Sequence, residues 1–356
     1  MSQPQVEFKG YAIVDPKNYL DMKVIEIKPK KFEADDLEIA ITHCGVCGSD
    51  VHTAHQGWGE SKLPLVIGHE IVGKVLRVGN NVKGFKAGDR VGVGAQIGAC
   101  LQCRQCKDGY ENYCPKQIDT YNAEYPDGTV TQGGFSTAIR AHQQFVFPIP
   151  DAIESRHAAS MFCAGLTVFS PLKLNGAGPG KKVGVIGIGG LGHYAVLFAK
   201  AMGAEVYAFT HSKHKMEDAK KLGADHVIDT NEKDFAKPLS TSLDIIISTM
   251  DATQQLPLKD FLSMLYVHGR FVNVAIPDLD QPLPSLHAFD LVPNGAYIGS
   301  NHIGSKSEVL EMLELAADKG IKPWIEELPM KDLPKAIEGV GKNKVKYRYV
   351  LSQDLA

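Results

Sequence analysis

The sequence predicts an α/β protein built in two styles, a β-rich first part followed by a parallel α/β sheet. Three observations predict it. The first 150 or so residues carry short apolar runs divided by turn residues. From Lys181 onward the pattern becomes strand, glycine turn, helix, strand, and then repeats. A length of 356 residues suits two domains.

In chain order, the apolar runs 37–42, 71–78, 90–93 and 145–149 read as strands. Asp36, Gly79-Asn80-Asn81 and Gly88-Asp89 punctuate them as turn signals. Residues 155–177 read as a helix-like run of small and apolar side chains. A short apolar strand follows at 182–188, then a helix at 191–202 with Ala195, Phe198, Ala199 and Met202 at helical spacing. A strand at 206–210, a helix at 215–222 ended by Gly223, and strands at 227–229, 243–248 and 269–274 continue the alternation. An amphipathic helix at 307–319 and a strand at 347–351 complete the chain.

The formal net charge of −3 gives no electrostatic reason to expect a nucleic acid or an anionic membrane as partner. The chain starts with a polar stretch, MSQPQVEFKG, and not a secretory pattern. No apolar run approaches the roughly 18 residues of a membrane span. The cytoplasm is the expected compartment. Six of the seven cysteines fall in the first third of the chain, which in this setting points to metal or redox chemistry and not to a disulfide framework.

Cys100-x2-Cys103-x2-Cys106-x7-Cys114 is the sharpest local signal. Four thiolates close in sequence can enclose Zn²⁺ tetrahedrally, leaving no open position, so such a zinc is structural. An iron–sulfur centre is the alternative reading of the same spacing. Cys47, His69 and Cys163 form a sparser set, whose three donors would leave a fourth position free for catalysis. Taken singly, a buried cysteine or a hydrogen-bonded histidine is the blander reading of Cys163 and His69.

Gly187-Ile188-Gly189-Gly190-Leu191-Gly192 fits G-x-G-x-x-G between a strand and a helix, the context in which backbone can approach a pyrophosphate. An NAD-selective protein would place Asp or Glu at the end of the second strand. Thr210-His211-Ser212-Lys213-His214-Lys215 stands there instead. Its hydroxyls and cations, with Thr210, His211, Ser212, Lys213 and Lys215 as the candidate contacts, suit the 2′-phosphate of NADP(H).

The motifs Cys44-Gly45-Val46-Cys47-Gly48-Ser49-Asp50, Gly68-His69-Glu70-Ile71-Val72-Gly73, Gln132-Gly133-Gly134-Phe135 and Met161-Phe162-Cys163-Ala164-Gly165 occur in order with the cysteine cluster and the glycine loop. Together they resemble the zinc-containing medium-chain dehydrogenases, within them the cinnamyl alcohol dehydrogenase branch and especially its fungal members. The resemblance covers nearly the whole chain.

It implies a GroES-like catalytic domain at 1–155, a doubly wound Rossmann domain for NADP(H) at 156–299, and a return to the catalytic domain at 300–356, with the active site in the cleft. It further implies two zinc ions per subunit. Cys47, His69 and Cys163 would hold the catalytic one, with Glu70 able to join or leave its shell and Asp50 fixing the His69 ring. Cys44 is expected to be a packed thiol and not a ligand. Ser49, the cofactor ribose and then His52 would pass a proton between substrate and solvent, and Trp58 would line the substrate pocket. The implied activity is reversible hydride transfer between NADP(H) and aldehydes or primary alcohols, aromatic or aliphatic, in a homodimer. Arg often stands in such relatives where this chain has His211. A zinc polyol or secondary-alcohol dehydrogenase is the nearest alternative. A zinc-binding interaction module is the alternative outside enzymology, but it leaves the glycine loop unexplained.

Overall fold

A computed structural model describes residues 6–355. The first five residues of the polar start therefore lie outside the described residues. The chain divides into two compact units: one runs up to Cys163 and resumes at Gly304, and the other is Ala164–Ile303. The family resemblance places these divisions after 155 and after 299. The segment 156–163 instead stays with the first unit, and the second extends a few residues beyond its last strand, Tyr297–Ser300.

The first unit is organised by the long strand Asp36–Val46, which pairs antiparallel with Glu70–Val78, Ala138–His142 and Arg348–Ser352. Outward from these lie Arg90–Val93, with Phe147–Pro148 beyond it, and Ile325–Pro329, which is parallel to Arg348–Ser352. A three-stranded sheet of Lys23–Glu26, Lys9–Ile13 and Leu65–Val66 accompanies it. Leu37, Ile39, Ile67, Val75, Phe135, Ile337 and Leu351 are all buried in one core, with Leu37, Ile39, Ile67 and Val75 supplied by runs of β-branched and Leu residues. The last strand therefore completes a sheet begun more than 300 residues earlier. The helix Lys306–Lys319 is bounded as a capping box predicts: the Ser305 N–H donates to Glu308 Oε2 at 2.9 Å, and Gly320 closes it with a left-handed φ of 61°.

Two predicted elements break differently. The run 145–149 begins at the last residue of a 3-10 turn, Gln143–Phe145, and holds only a two-residue strand, Phe147–Pro148. The helix-like run 155–177 is three pieces, Ser155–Ala158, the 3-10 turn Ala159–Phe162, and Ala164–Leu174. The break falls at Cys163, whose φ −127°, ψ −75° is not helical. Helical propensity is overridden there because Phe162 is fully buried and stacked on Phe147, centroids 5.9 Å apart.

The second unit is a six-stranded sheet, parallel throughout. In order of occurrence its strands are Lys182–Ile186, Glu205–Thr210, His226–Asp229, Leu243–Ser248, Leu265–Asn273 and Tyr297–Ser300. Their spatial order is third, second, first, fourth, fifth, sixth. That is the doubly wound dinucleotide-binding topology, in which ligands sit beyond the carboxyl ends of the strands where the order reverses. The reversal lies between Lys182–Ile186 and Leu243–Ser248, so the glycine loop leaves the first strand at that point.

Candidate active site

The helix Gly48–Ala54 starts directly after Cys47, at the end of the long central strand. Its first turn is organised by one carboxylate. Asp50, fully buried, accepts the Cys47 N–H at 2.8 Å and the Gly68 N–H at 3.1 Å, and its Oδ1 lies 3.3 Å from His69 Nδ1. Asp50 thus caps a helix, ties down the neighbouring chain and orients the imidazole. Burial works against a charged His69, but Asp50 outweighs it and holds the pKa well above the ordinary range. With Nδ1 turned to Asp50, Nε2 faces the Cys163 thiol at 3.0 Å, and Cys47 Sγ stands 3.9 Å from Cys163 Sγ. Zinc–thiolate bonds of 2.3 Å in a tetrahedron put two sulfurs about 3.8 Å apart. The two buried thiols and one imidazole thus suit a zinc ion, with a fourth position left over.

Glu70 lies in the same cluster of donor atoms, all within 4.8 Å of one another. Its Oε1 pairs with the Arg348 guanidinium, while Oε2 is buried without a hydrogen-bond partner, above Gly45. Burial raises the Glu70 pKa to about 7, against the opposing pull of Arg348. Ser49 Oγ is 3.6 Å from Cys47 Sγ. His52, one helical turn on, stacks flat on Trp58 with centroids 5.0 Å apart. Cys44 is buried near Gly68 and Gly134 and is not among the clustered donor atoms, and burial pushes its thiol pKa well up.

The four-cysteine segment forms a lobe of its own. Cys103 Sγ is 3.5 Å from Cys106 Sγ and 3.9 Å from Cys114 Sγ, which is 3.5 Å from Cys100 Sγ. Backbone N–H groups also point at the sulfurs, Cys103 to Cys100 and Lys116 to Cys114. N–H groups of Gln102 and Cys103 draw the Cys100 pKa down to about 6. Burial and the neighbouring Cys103 and Cys114 thiols instead push the Cys106 pKa up to about 12. Four converging sulfurs that also receive backbone N–H donors match the donor set of a closed zinc site.

In the second unit, Gly187 has a left-handed φ of 81°, and a Cβ on Gly192 would fall 1.8 Å from the Gly187 carbonyl. The loop therefore turns back on itself before the helix Gly192–Ala201, and open space surrounds Gly189. Thr249, after the fourth strand, donates to the Gly187 carbonyl at 2.8 Å. The second strand ends at Thr210, and the next helix starts at Lys213, two residues earlier than the sequence pattern indicates, with Ser212 at its N-cap. Ser212 Oγ lies 2.8 Å from His214 Nδ1, and Asn231 holds the His211 carbonyl. Burial lowers the Lys215 pKa, against Asp218.

Comparison with known proteins agrees. Residues 33–151 match a family described as alcohol dehydrogenase GroES-like domain, and 190–318 one described as zinc-binding dehydrogenase. The NADP-dependent alcohol dehydrogenase 6 of Saccharomyces cerevisiae is 43% identical over 99% of this chain and 98% of its own. The chain belongs to the zinc-containing alcohol dehydrogenase family. A probable mannitol dehydrogenase of Fragaria ananassa is 43% identical over 89% of this chain and 87% of its own. A solved cinnamyl alcohol dehydrogenase of Sorghum bicolor superposes with a TM-score of 0.92 at 36% identity, covering 98% of both chains.

Within this alcohol dehydrogenase, sequence reasoning missed three residues that the site uses. Arg348 partners Glu70, and a lone cation in the apolar final strand was its signal. Tyr121 packs on His69 at 5.6 Å and hydrogen-bonds with Asp50 and Thr53. Thr249 pins the glycine loop from the segment just after the fourth strand, and nothing in local sequence marks it.

Proposed function

We propose that this alcohol dehydrogenase catalyses reversible hydride transfer between NADP(H) and aldehydes or primary alcohols, mainly as an aldehyde reductase, with aromatic aldehydes such as cinnamaldehyde and aliphatic ones as substrates. The observation that carries the reading is the buried cluster of Cys47, His69, Cys163 and Glu70. Two thiols and an imidazole suit zinc while Glu70 is paired with Arg348, so that a tetrahedral ion would keep its fourth position for substrate. When bound there, zinc supplies Lewis acidity toward the substrate oxygen, and NADPH supplies the hydride.

The chain's own residues do the rest. Asp50 holds His69 as a donor through Nε2. Ser49 and His52, three apart on one helix, lie on a common face and, with the cofactor ribose between them, pass the proton between substrate and solvent. Trp58, stacked on His52, offers a flat apolar wall suited to aromatic substrates.

The glycine loop takes the pyrophosphate, and Thr210, His211, Ser212, Lys213 and Lys215 take the 2′-phosphate. Lys213 and Lys215 occupy the first turn of a helix with no acidic residue there, an unfavourable place for cations by themselves. A bound phosphate offsets that cost. The S. cerevisiae relative named as NADP-dependent supports the same preference.

The protein is proposed to act as a homodimer through its cofactor unit. Strand Tyr297–Ser300 is an open sheet edge, and Leu279, Phe289, Val292 and Tyr297 are exposed nearby in sequence.

Initial rates of cinnamaldehyde reduction with NADPH and NADH, before and after zinc chelation, test the reading. Turnover that depends on NADPH and on zinc is expected, and turnover undiminished after both zinc ions are removed would sink it. A polyol activity is the second reading, favoured by the mannitol dehydrogenase name of the Fragaria relative. Mannitol oxidation outpacing cinnamyl alcohol oxidation would select it.

A further inference from the structure

The helix that follows the glycine loop begins Gly192-His193, and His193 is fully buried. Its Nδ1 lies 3.0 Å from the Gly190 carbonyl oxygen and 3.3 Å from that of Gly189. Both neighbours are acceptors only, so Nδ1 carries the proton and donates. The His193 backbone N–H also donates to the Gly189 carbonyl at 3.0 Å. One residue therefore grips two consecutive peptide planes of the loop.

A trans peptide is planar, with C=O and N–H pointing in opposite directions. Fixing the Gly189 carbonyl therefore fixes the Gly190 N–H, and fixing the Gly190 carbonyl fixes the Leu191 N–H. Both N–H groups lie just ahead of the helix, Leu191 being its N-cap, where no intrahelical acceptor exists for them. Two adjacent glycines otherwise leave these planes free to rotate.

We propose that His193 is a positioning residue for the dinucleotide. Its Nδ1–H draws the Gly189 and Gly190 carbonyls inward and so aims the Gly190 and Leu191 N–H groups outward at the pyrophosphate. This rests on the reading of 187–192 as a cofactor loop. His193 never touches the ligand, and it acts by sparing the loop the entropy of ordering two peptide planes on binding.

Equilibrium titration of NADPH and of adenosine 2′-monophosphate, which has the 2′-phosphate but no pyrophosphate, tests it on three variants. His193→Leu removes the donor. His193→Asn keeps an N–H donor near the position of Nδ1, and His193→Gln moves it outward. Leu and Gln should weaken NADPH about tenfold, the worth of roughly one hydrogen bond, and leave adenosine 2′-monophosphate within about twofold. Asn should recover most of the NADPH affinity. Equal losses for both ligands, or Asn no better than Gln, would overturn the proposal. If the Leu variant does not fold, the comparison of Asn with Gln decides alone. If the wild type binds NADH and not NADPH, the nucleotide preference fails by itself. The same comparison with NADH and adenosine then still judges His193.

Discussion

The two cysteine sites of the first unit, one of four thiols and the other of two thiols with the His69 imidazole and Glu70, differ most in how far apart along the chain their donors lie. The lobe takes all four sulfurs from 100–114, and three of them are partly exposed. The other site joins Cys47 to Cys163 across 116 residues and buries every donor. A metal in the lobe closes a short loop and is itself much of the local fold. The second site needs the central sheet, the helix after it and the broken helix at Cys163 to be in place first. Local donors make a staple, and distant donors make a pocket whose last coordination position the fold can keep open. The following substitutions break or sharpen that contrast.

The largest effect is expected from Cys163→Ser. Removing one donor of the open site should cut turnover on the order of a thousandfold or more, since several kcal/mol of transition-state stabilisation are lost. Zinc content should fall from about two to about one per chain, with thermal stability little changed. Elemental analysis alongside rate measurement checks this, and full activity with one zinc missing would erase the distinction between the sites.

Cys106→Ser should do the reverse. Loss of the lobe metal removes several kcal/mol of folding free energy and should lower Tm by about 10 °C or more. Enzyme kept cold should retain most of its turnover at first and lose it on warming. An immediate loss of turnover at unchanged Tm would show that the lobe takes part in catalysis.

What was legible in the sequence follows the same division. The lobe could be read because its donors share one stretch, and the glycine loop because strand, turn and helix are contiguous. The strand order of the cofactor sheet could be read only through the family resemblance, which implies a doubly wound domain, because pairing is a tertiary choice that local patterning does not encode. The break at Cys163 was hidden for a related reason. Its segment is apolar and helix-permissive, and only the seating of Phe162 against Phe147 shows why the helix stops there. Arg348 and Tyr121 reach the site from segments distant in sequence: a cation in an apolar strand marks Arg348 as unusual, but no local spacing ties either residue to the donors.

Asp50→Asn probes how the distant-donor site is held. The carboxylate accepts from the Cys47 and Gly68 N–H groups and faces His69 Nδ1. An amide must turn its NH₂ toward one of these donors, so one contact becomes a clash of hydrogens. Zinc affinity at the open site should drop about ten- to a hundredfold. Chelator competition measures this, with the lobe zinc as an internal control that should not change. Equal weakening of both zincs would point to a general loss of fold and not to His69.

The smallest effect separates crowding from conformational freedom. A Cβ at Gly45 would fall 2.0 Å from Glu70 Oε2, whereas one at Gly109, in the lobe, would meet nothing within 4 Å. Gly109 instead has a left-handed φ of 81°. Gly45→Ala must therefore push Glu70 out of its place beside Arg348, a core strain of about 1–3 kcal/mol that also disturbs the reacting site. Gly109→Ala meets only the backbone penalty of roughly 1–2 kcal/mol. Urea midpoints should fall for both, but only Gly45→Ala should change turnover. If Gly109→Ala changed turnover as much, the lobe would be coupled to the chemistry and the contrast between staple and pocket would fail.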